Sequence, residues 1–462
     1  MGKYKKLAKN TVIFLIGNAG TKLLLFLLVS VCTFYFSTEA YGTYDIITQI
    51  INLMLPFSIL GTSEAVLRFT LDKAEINIKV LYNTFIIVFI GLGITVIASP
   101  LLRLYSVVSN YVFLIAISII FQAIYTILHQ YTKGISRNWV YIISDLIEAV
   151  VQLGLSFIFL NLFKDKIIAC VVAMLVGYTC AIVYNIILVD FSGFFSKNNY
   201  DRELIGRLVA YSVPLMPNSI LWWVTGMSDR FIVQMYTGLA AVGLYSVASK
   251  IPSMITTFTS VVFQAWQISA VEEYESADKS VFFSIIMDLC ISFIFILIAA
   301  ISYFIKPITS LLVSNEFFNA WRYIPLLLIA TFFSSIQSFI GTNYMASKKT
   351  LGALGTTAFG AISNIVMNFA LIPRYGVVGA IIATILSYAI VTVARYFGTK
   401  KYVNIIFNWK IILPNCLLIS FIYYKIYTGK YMIDPIGGIF LFVVVIFDCF
   451  NIIKLLKKVK TH

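Results

Sequence analysis

The chain has 462 residues, of which 60% are hydrophobic and only 12% are Asp, Glu, Lys or Arg, and its formal net charge is +14. A soluble protein of this size could not cover its surface with so few charges, since soluble domains carry roughly 25%, so a water-soluble enzyme is excluded. The apolar residues form long runs rather than short alternating ones, which excludes an outer-membrane barrel and implies an all-α integral membrane protein.

The chain opens MGKYKKLAKN, a basic start like a signal peptide. The apolar stretch from Thr11 to about Phe36 is too long for a signal-peptide core and lacks a small-x-small cleavage site. It reads as an uncleaved first span. Lys6 stands where a myristoylation motif needs Ser or Thr. Beyond it, runs long enough to cross a bilayer bring the total to about fourteen. They cover about 11–36, 44–69, 79–99, 110–131, 139–162, 167–189, 208–235, 243–269, 281–305, 322–346, 352–372, 377–397, 411–428 and 435–453. The longest hydrophilic link, DFSGFFSKNNYDRELIGR, lies between the sixth and seventh. The expected organisation is an N-lobe over 1–190, a cytoplasmic linker over 191–207 and a C-lobe over 208–400. Two further helices and a basic tail occupy 401–462.

Basic residues concentrate in alternate connections, from Lys3, Lys5, Lys6 and Lys9 at the start to Lys454, Lys457, Lys458 and Lys460 at the end. That bias puts both termini in the cytoplasm. It also explains the net charge without a nucleic-acid partner.

The lobes carry an internal echo. AYGTYDIITQ from Ala40 and AVGLYSVASK from Ala241 align Gly42 with Gly243 and Tyr44 with Tyr245. Two six-span units that start on the same side make a parallel repeat, a known transporter design, here around a central cavity. RYGVVGA, from Arg374, is a third near-copy.

All six cysteines, Cys32, Cys170, Cys180, Cys290, Cys416 and Cys449, lie in apolar runs without a C-x-x-C pair. They read as small hydrophobes. With only His129 and His462, no metal site and no cofactor is expected.

Polar residues inside a span are costly unless they face protein or water. Asn218, Trp222, Thr225 and Asp229 share one face of the seventh span. Ser246, Lys250, Ser253, Thr257 and Ser260 share one of the eighth, followed by Gln264 and Gln267. Asp45, Gln49, Asn52 and Pro56 do so in the second, and Asn18 with Lys22 in the first. Small-residue packing accounts for the serines. It does not account for Lys22, Asp229, Arg230 and Lys250. Asp229 and Arg230 are neighbours that point about 100° apart and need not pair. Glu64 and Arg68, four apart, have the spacing of a self-neutralising pair. Asp145 and Glu148 share a face and suit either a proton or cation or a basic residue from elsewhere in the fold. Asp288 and Asp448 look isolated, and His129 structural. An excess of cationic groups suits an anionic ligand such as a diphosphate. A drug-cation exporter would want the opposite sign.

The chain resembles the polysaccharide transporters of the multidrug/oligosaccharidyl-lipid/polysaccharide flippase superfamily, the Wzx-type O-antigen or capsule-repeat flippases. The resemblance rests on EAYGTYD from Glu39, SEAVLRF from Ser63, YSVPLMPNS from Tyr211, SDRFIV from Ser228, VGLYSVASKIP from Val242, QAW from Gln264 and IPRYGVVGAIIAT from Ile372. It implies a flippase, not an enzyme, that moves undecaprenyl-diphosphate-linked oligosaccharide to the outer leaflet by alternating access. Lys22, Arg230 and Lys250, with Asn18 and Trp222, would bind the substrate. Asp45, Asp145, Glu148, Asp229, Glu64 and Arg68 would couple or gate, with H+ or Na+ as driving ion or with the membrane potential alone as the drive, in a bacterial inner membrane. A polysaccharide polymerase would be its partner. Helices thirteen and fourteen would hold the lipid tail, as in the lipid II flippases. The rivals are a multidrug exporter of the same superfamily and a membrane polymerase or acyltransferase.

Overall fold

The computed structural model describes residues 20–72, 76–189, 191, 193–276, 278–347, 349–429 and 432–461. Among these the regular structure is helical: α1 (Gly20–Tyr35), α2 (Thr38–Ser58), α3 (Thr62–Thr70), α4 (Asn77–Ala98), α5 (Val112–Gly134), α6 (Asn138–Leu162), α7 (Lys166–Leu188), α8 (Arg202–Ser212), α9 (Met216–Thr237), α10 (Leu239–Glu272), α11 (Lys279–Tyr303), α12 (Ile305–Leu312), α13 (Ile324–Ala346), α14 (Thr350–Thr399), α15 (Trp409–Thr428) and α16 (Pro435–Thr461).

Eleven helices or helical stretches are long and apolar enough to cross a membrane, and the bent pair α2–α3 makes twelve. The bend is 55°. Its causes are local: Pro56 sits inside α2, and Leu60 and Gly61 both adopt positive φ. Only Gly fits at 61, because a Cβ there would stand 2.8 Å from the Ser212 carbonyl oxygen.

α14 counts as one stretch yet holds two spans. Fifty residues at 1.5 Å each would reach about 75 Å, well over twice the hydrocarbon thickness. The helix breaks at Gly376, with φ 55 and ψ −134. Its arms then run back along each other. Arg395 reaches Thr356 and Thr357, Thr384 meets Asn364, and Val391 lies on Gly360. These pairs share a midpoint near residue 375, which is the signature of an antiparallel hairpin. With α14 divided and α1 as the described part of the first segment, every expected span is helical. The protein is an all-α, multi-pass membrane protein.

Two compact units emerge, Met1–Met227 and Ser228–His462. The division falls inside α9 rather than in the hydrophilic stretch 191–207. That stretch is docked on the first unit. The Asn83 side chain of α4 donates to the Asn199 carbonyl (2.7 Å) and accepts from the Asp201 amide (3.0 Å). Asp201 caps α8 by accepting from the Leu204 amide (3.0 Å). Leu204 and Leu208 then bury against Ala65, Val80 and Ile87. In the first unit α5 packs against α2, α3, α6 and α7. In the second, α11 packs against α13, α15 and α16, and α13 against α10 and α14.

Candidate functional site

In the first unit the polar groups gather on α5 and α6. Gln122, Tyr125 and His129 follow one face of α5 at intervals of three and four. Tyr141, Asp145, Glu148 and Gln152 do so on α6. The Tyr125 hydroxyl donates to Asp145 Oδ1. His129 Nε2 lies 3.0 Å from the same oxygen and 3.2 Å from the Tyr141 carbonyl oxygen. The imidazole is stacked on Tyr141 at 3.8 Å and on Tyr125 at 5.1 Å. Lys133 Nζ sits 5.5 Å from the Tyr141 ring centre. Glu148, buried on the next turn of α6, is within electrostatic reach of Asp145 and of Lys22 from α1.

Asp45 and Gln49 are buried on α2, and Gln49 Nε2 donates to Asp45 Oδ1 (3.4 Å). Asn52 Oδ1 accepts from Gln122 Nε2 (3.2 Å), which ties α2 to the α5 face. Lys22 is exposed on α1. Asn18 lies outside the described residues.

The second unit gathers its polar groups on α9 and α10. Asp229 and Arg230 are 3% and 5% exposed. They do pair: Arg230 Nη1 is 3.4 Å from Asp229 Oδ1, which also accepts the Arg230 amide (2.9 Å). The long guanidinium stem folds back over the 100° between adjacent positions, because a buried charge without a partner is expensive. Arg230 Nη2 donates to Ser249 Oγ (3.0 Å), and Tyr245 donates to Asp229 Oδ2. The guanidinium carbon lies 5.3 Å from the Tyr245 ring centre. Tyr388, from the second arm of α14, is within electrostatic reach of both charges.

Other expected residues are placed differently. Glu64 and Arg68 are exposed and form no ion pair with each other, so the spacing read as self-neutralising is not used. An exposed pair gains little Coulomb energy and loses side-chain freedom. Trp222 is exposed and Lys250 half-buried. Along α10 the hydroxyls of Ser253, Thr257 and Ser260 donate to carbonyls three or four residues back on their own helix. Trp266 is core: it donates to Thr342 Oγ1 (2.9 Å) and stacks on Phe339 at 4.7 Å.

Two features escaped sequence reasoning. His129 meets Asp145 across two helices, which no local spacing encodes. Arg395, which reads as an end-of-span topology signal, is buried. Its guanidinium is held by the Gln337 carbonyl (2.8 Å) and the hydroxyls of Thr356 (3.1 Å) and Thr357 (3.0 Å). Gly341 leaves it room, since a Cβ there would stand 2.7 Å from Nη1.

The second unit also contains an apolar cavity of about 680 Å³, walled by α11, α13, the second arm of α14 and α15. Phe332, Phe333, Tyr396, Phe407 and Trp409 line it, and Lys400 is its charged member.

Residues 7–267, more than half of the chain, match the polysaccharide biosynthesis protein family. The chain belongs to that family. A membrane protein of Methanocaldococcus jannaschii, MJ1375, is 20% identical over 86% of this chain and 99% of its own length. The probable low-salt glycan biosynthesis flippase Agl15 of Haloferax volcanii is 25% identical over 44% of this chain and 43% of its own. Among solved structures, the lipid II flippase MurJ in an inward closed conformation superposes with a TM-score of 0.73 at 14% identity. It covers 96% of this chain and 98% of that one, so the two share a fold. The family match and the shared fold both agree with the resemblance read from the motifs.

Proposed function

We propose that the chain flips an undecaprenyl-diphosphate-linked oligosaccharide from the cytoplasmic to the outer leaflet of the inner membrane by alternating access, with both termini in the cytoplasm. The family match over residues 7–267 carries this reading, and the charge distribution supports it. Lys22 and Lys250 supply the positive charge for the diphosphate, and Trp222 a face for the sugars. Arg230 is balanced by Asp229 at rest. A proton on Asp229 would release the guanidinium for the diphosphate, so proton uptake and substrate binding would favour each other. Asp145, beside His129, and Glu148 one turn on are the first unit's candidates for coupling. The apolar cavity beside Lys400 seats part of the lipid tail, as its aromatic lining suits hydrocarbon.

A leaflet-exposure assay tests this. Liposomes containing a lipid-diphosphate oligosaccharide and the full chain are given an impermeant sugar-modifying enzyme. Wild type is expected to expose the inner-leaflet pool, and Lys22→Ala to slow exposure at least roughly tenfold, the factor that about 1.4 kcal/mol of lost binding represents. Unchanged exposure in Lys22→Ala and Lys250→Ala together would remove the diphosphate role. Export of a cationic dye without lipid exposure would favour the drug exporter.

A further inference from the structure

The C-terminal helices hold a buried polar cluster that the flippase reading does not use. α15 and α16 pack on each other and both pack on α11. Asp448 of α16 and Asn415 of α15 are fully buried, as is Ser292 of α11, and Asp288, one turn before Ser292, is 7% exposed. The two carboxylates look isolated in sequence, but the helix packing brings Asp448 of α16 to Ser292 of α11.

The hydrogen bonding is one-sided. Asn415 Nδ2 donates to Asp448 Oδ1 (3.0 Å) and to the Ile411 carbonyl (3.1 Å), which uses both of its amide hydrogens. Asn415 Oδ1, Asp448 Oδ2 and Asp288 Oδ1 are then buried acceptors without a donor. Ser292 Oγ lies beside the Asp448 carboxylate without a well-formed hydrogen bond. The Asn451 amide, one turn along α16, is an unpaired donor, but it can serve only part of this set. Asp288 interacts with Asn408 and with Lys458. No ion pair among the described residues involves Asp288 or Asp448. Buried acceptors in such excess are costly in an apolar interior, and intramembrane carboxylates mark ion sites by default.

We propose that this cluster binds a monovalent cation, Na+, between α11, α15 and α16. Carboxylate, amide carbonyl and hydroxyl oxygens are the ligands of hard cations. Asp448 brings one negative charge to the site, which one monovalent ion neutralises. The ion accepts the lone pairs of Asp448 Oδ2, Asn415 Oδ1 and Ser292 Oγ, and Asp288, one turn along α11, acts on it as a further negative charge. The bound ion pins the C-terminal helix pair to the body of the second unit. The site is independent of the transport reading.

The test uses the full chain in nanodiscs, with NaCl exchanged for choline chloride at constant ionic strength. Binding of radioactive Na+ and the melting temperature are read together. Wild type is expected to bind about one Na+ per chain and to melt higher as the site fills. Asp448→Asn is expected to weaken binding roughly tenfold or more, and Ser292→Ala to weaken it less. Should Asp448→Asn fail to fold, Ser292→Ala and Asp288→Asn carry the comparison. Three results overturn the site: no saturable Na+ binding by wild type; binding unchanged in Ser292→Ala and Asp288→Asn; or binding lost in Asp145→Asn, which would move the ion to the first unit. Melting that follows pH but not Na+ would identify a neutral Asp448 carboxyl instead.

Discussion

The two units solve the same problem differently. Each holds an aspartate that accepts a tyrosine hydroxyl and faces a nitrogen base: Tyr125, Asp145 and His129 in the first, Tyr245, Asp229 and Arg230 in the second. The difference is the base. Histidine gains and loses its proton near neutrality, whereas arginine is always charged. The first cluster is also less buried, with the Asp145 side chain 21% exposed against 4% for Asp229. One unit therefore carries a partly hydrated imidazole–carboxylate pair, and the other a buried pair whose charges depend on each other.

The sharpest way to break this comparison is Asp229→Asn. It leaves a buried arginine uncompensated and is expected to cost about 3–5 kcal/mol, read as a fall in melting temperature in detergent. The double change Asp229→Asn/Arg230→Met should recover most of that loss. Equal losses in single and double variants would mean the pair is not mutually dependent.

Asp145→Asn should cost less, about 1–2 kcal/mol, because it removes hydrogen bonds from a partly hydrated group. His129→Gln, which keeps a donor toward Asp145 but removes the stacked ring, is expected to cost a similar amount, read as a fall in melting temperature. A loss near zero would mean that the ring does not hold Asp145.

The smallest effect is expected at Glu64. Exposed and without an ion pair, Glu64→Gln should change stability by less than about 0.5 kcal/mol. A larger loss would show that its i+4 relation to Arg68 is used after all.

Much of this fold is legible in the chain because membranes simplify the code. Each span must satisfy its own backbone hydrogen bonds, so apolar run length alone gives the helices. The RYGVVGA segment marks the turn inside α14, where Gly376 takes a conformation that a Cβ would strain. The stripes on the first, second, seventh and eighth spans mark polar faces, and the resemblance names the superfamily. Partner choice is another matter. The adjacent Asp229 and Arg230 gave no sequence reason to pair, yet they do; Glu64 and Arg68 had the spacing for it, yet they do not. Burial decides both outcomes, and burial depends on which helices come together.

By itself, then, the sequence determined that this is a helical membrane protein of about fourteen spans with charges too costly to be incidental. It did so through local quantities: hydropathy over some twenty residues and the phase of polar positions on one helix. Only the tertiary structure decided that His129 faces Asp145, that Arg395 is buried among hydroxyls, and that Asp448 comes to Ser292. Those contacts join helices distant in the chain, and no periodicity within one helix encodes which face of another will meet it.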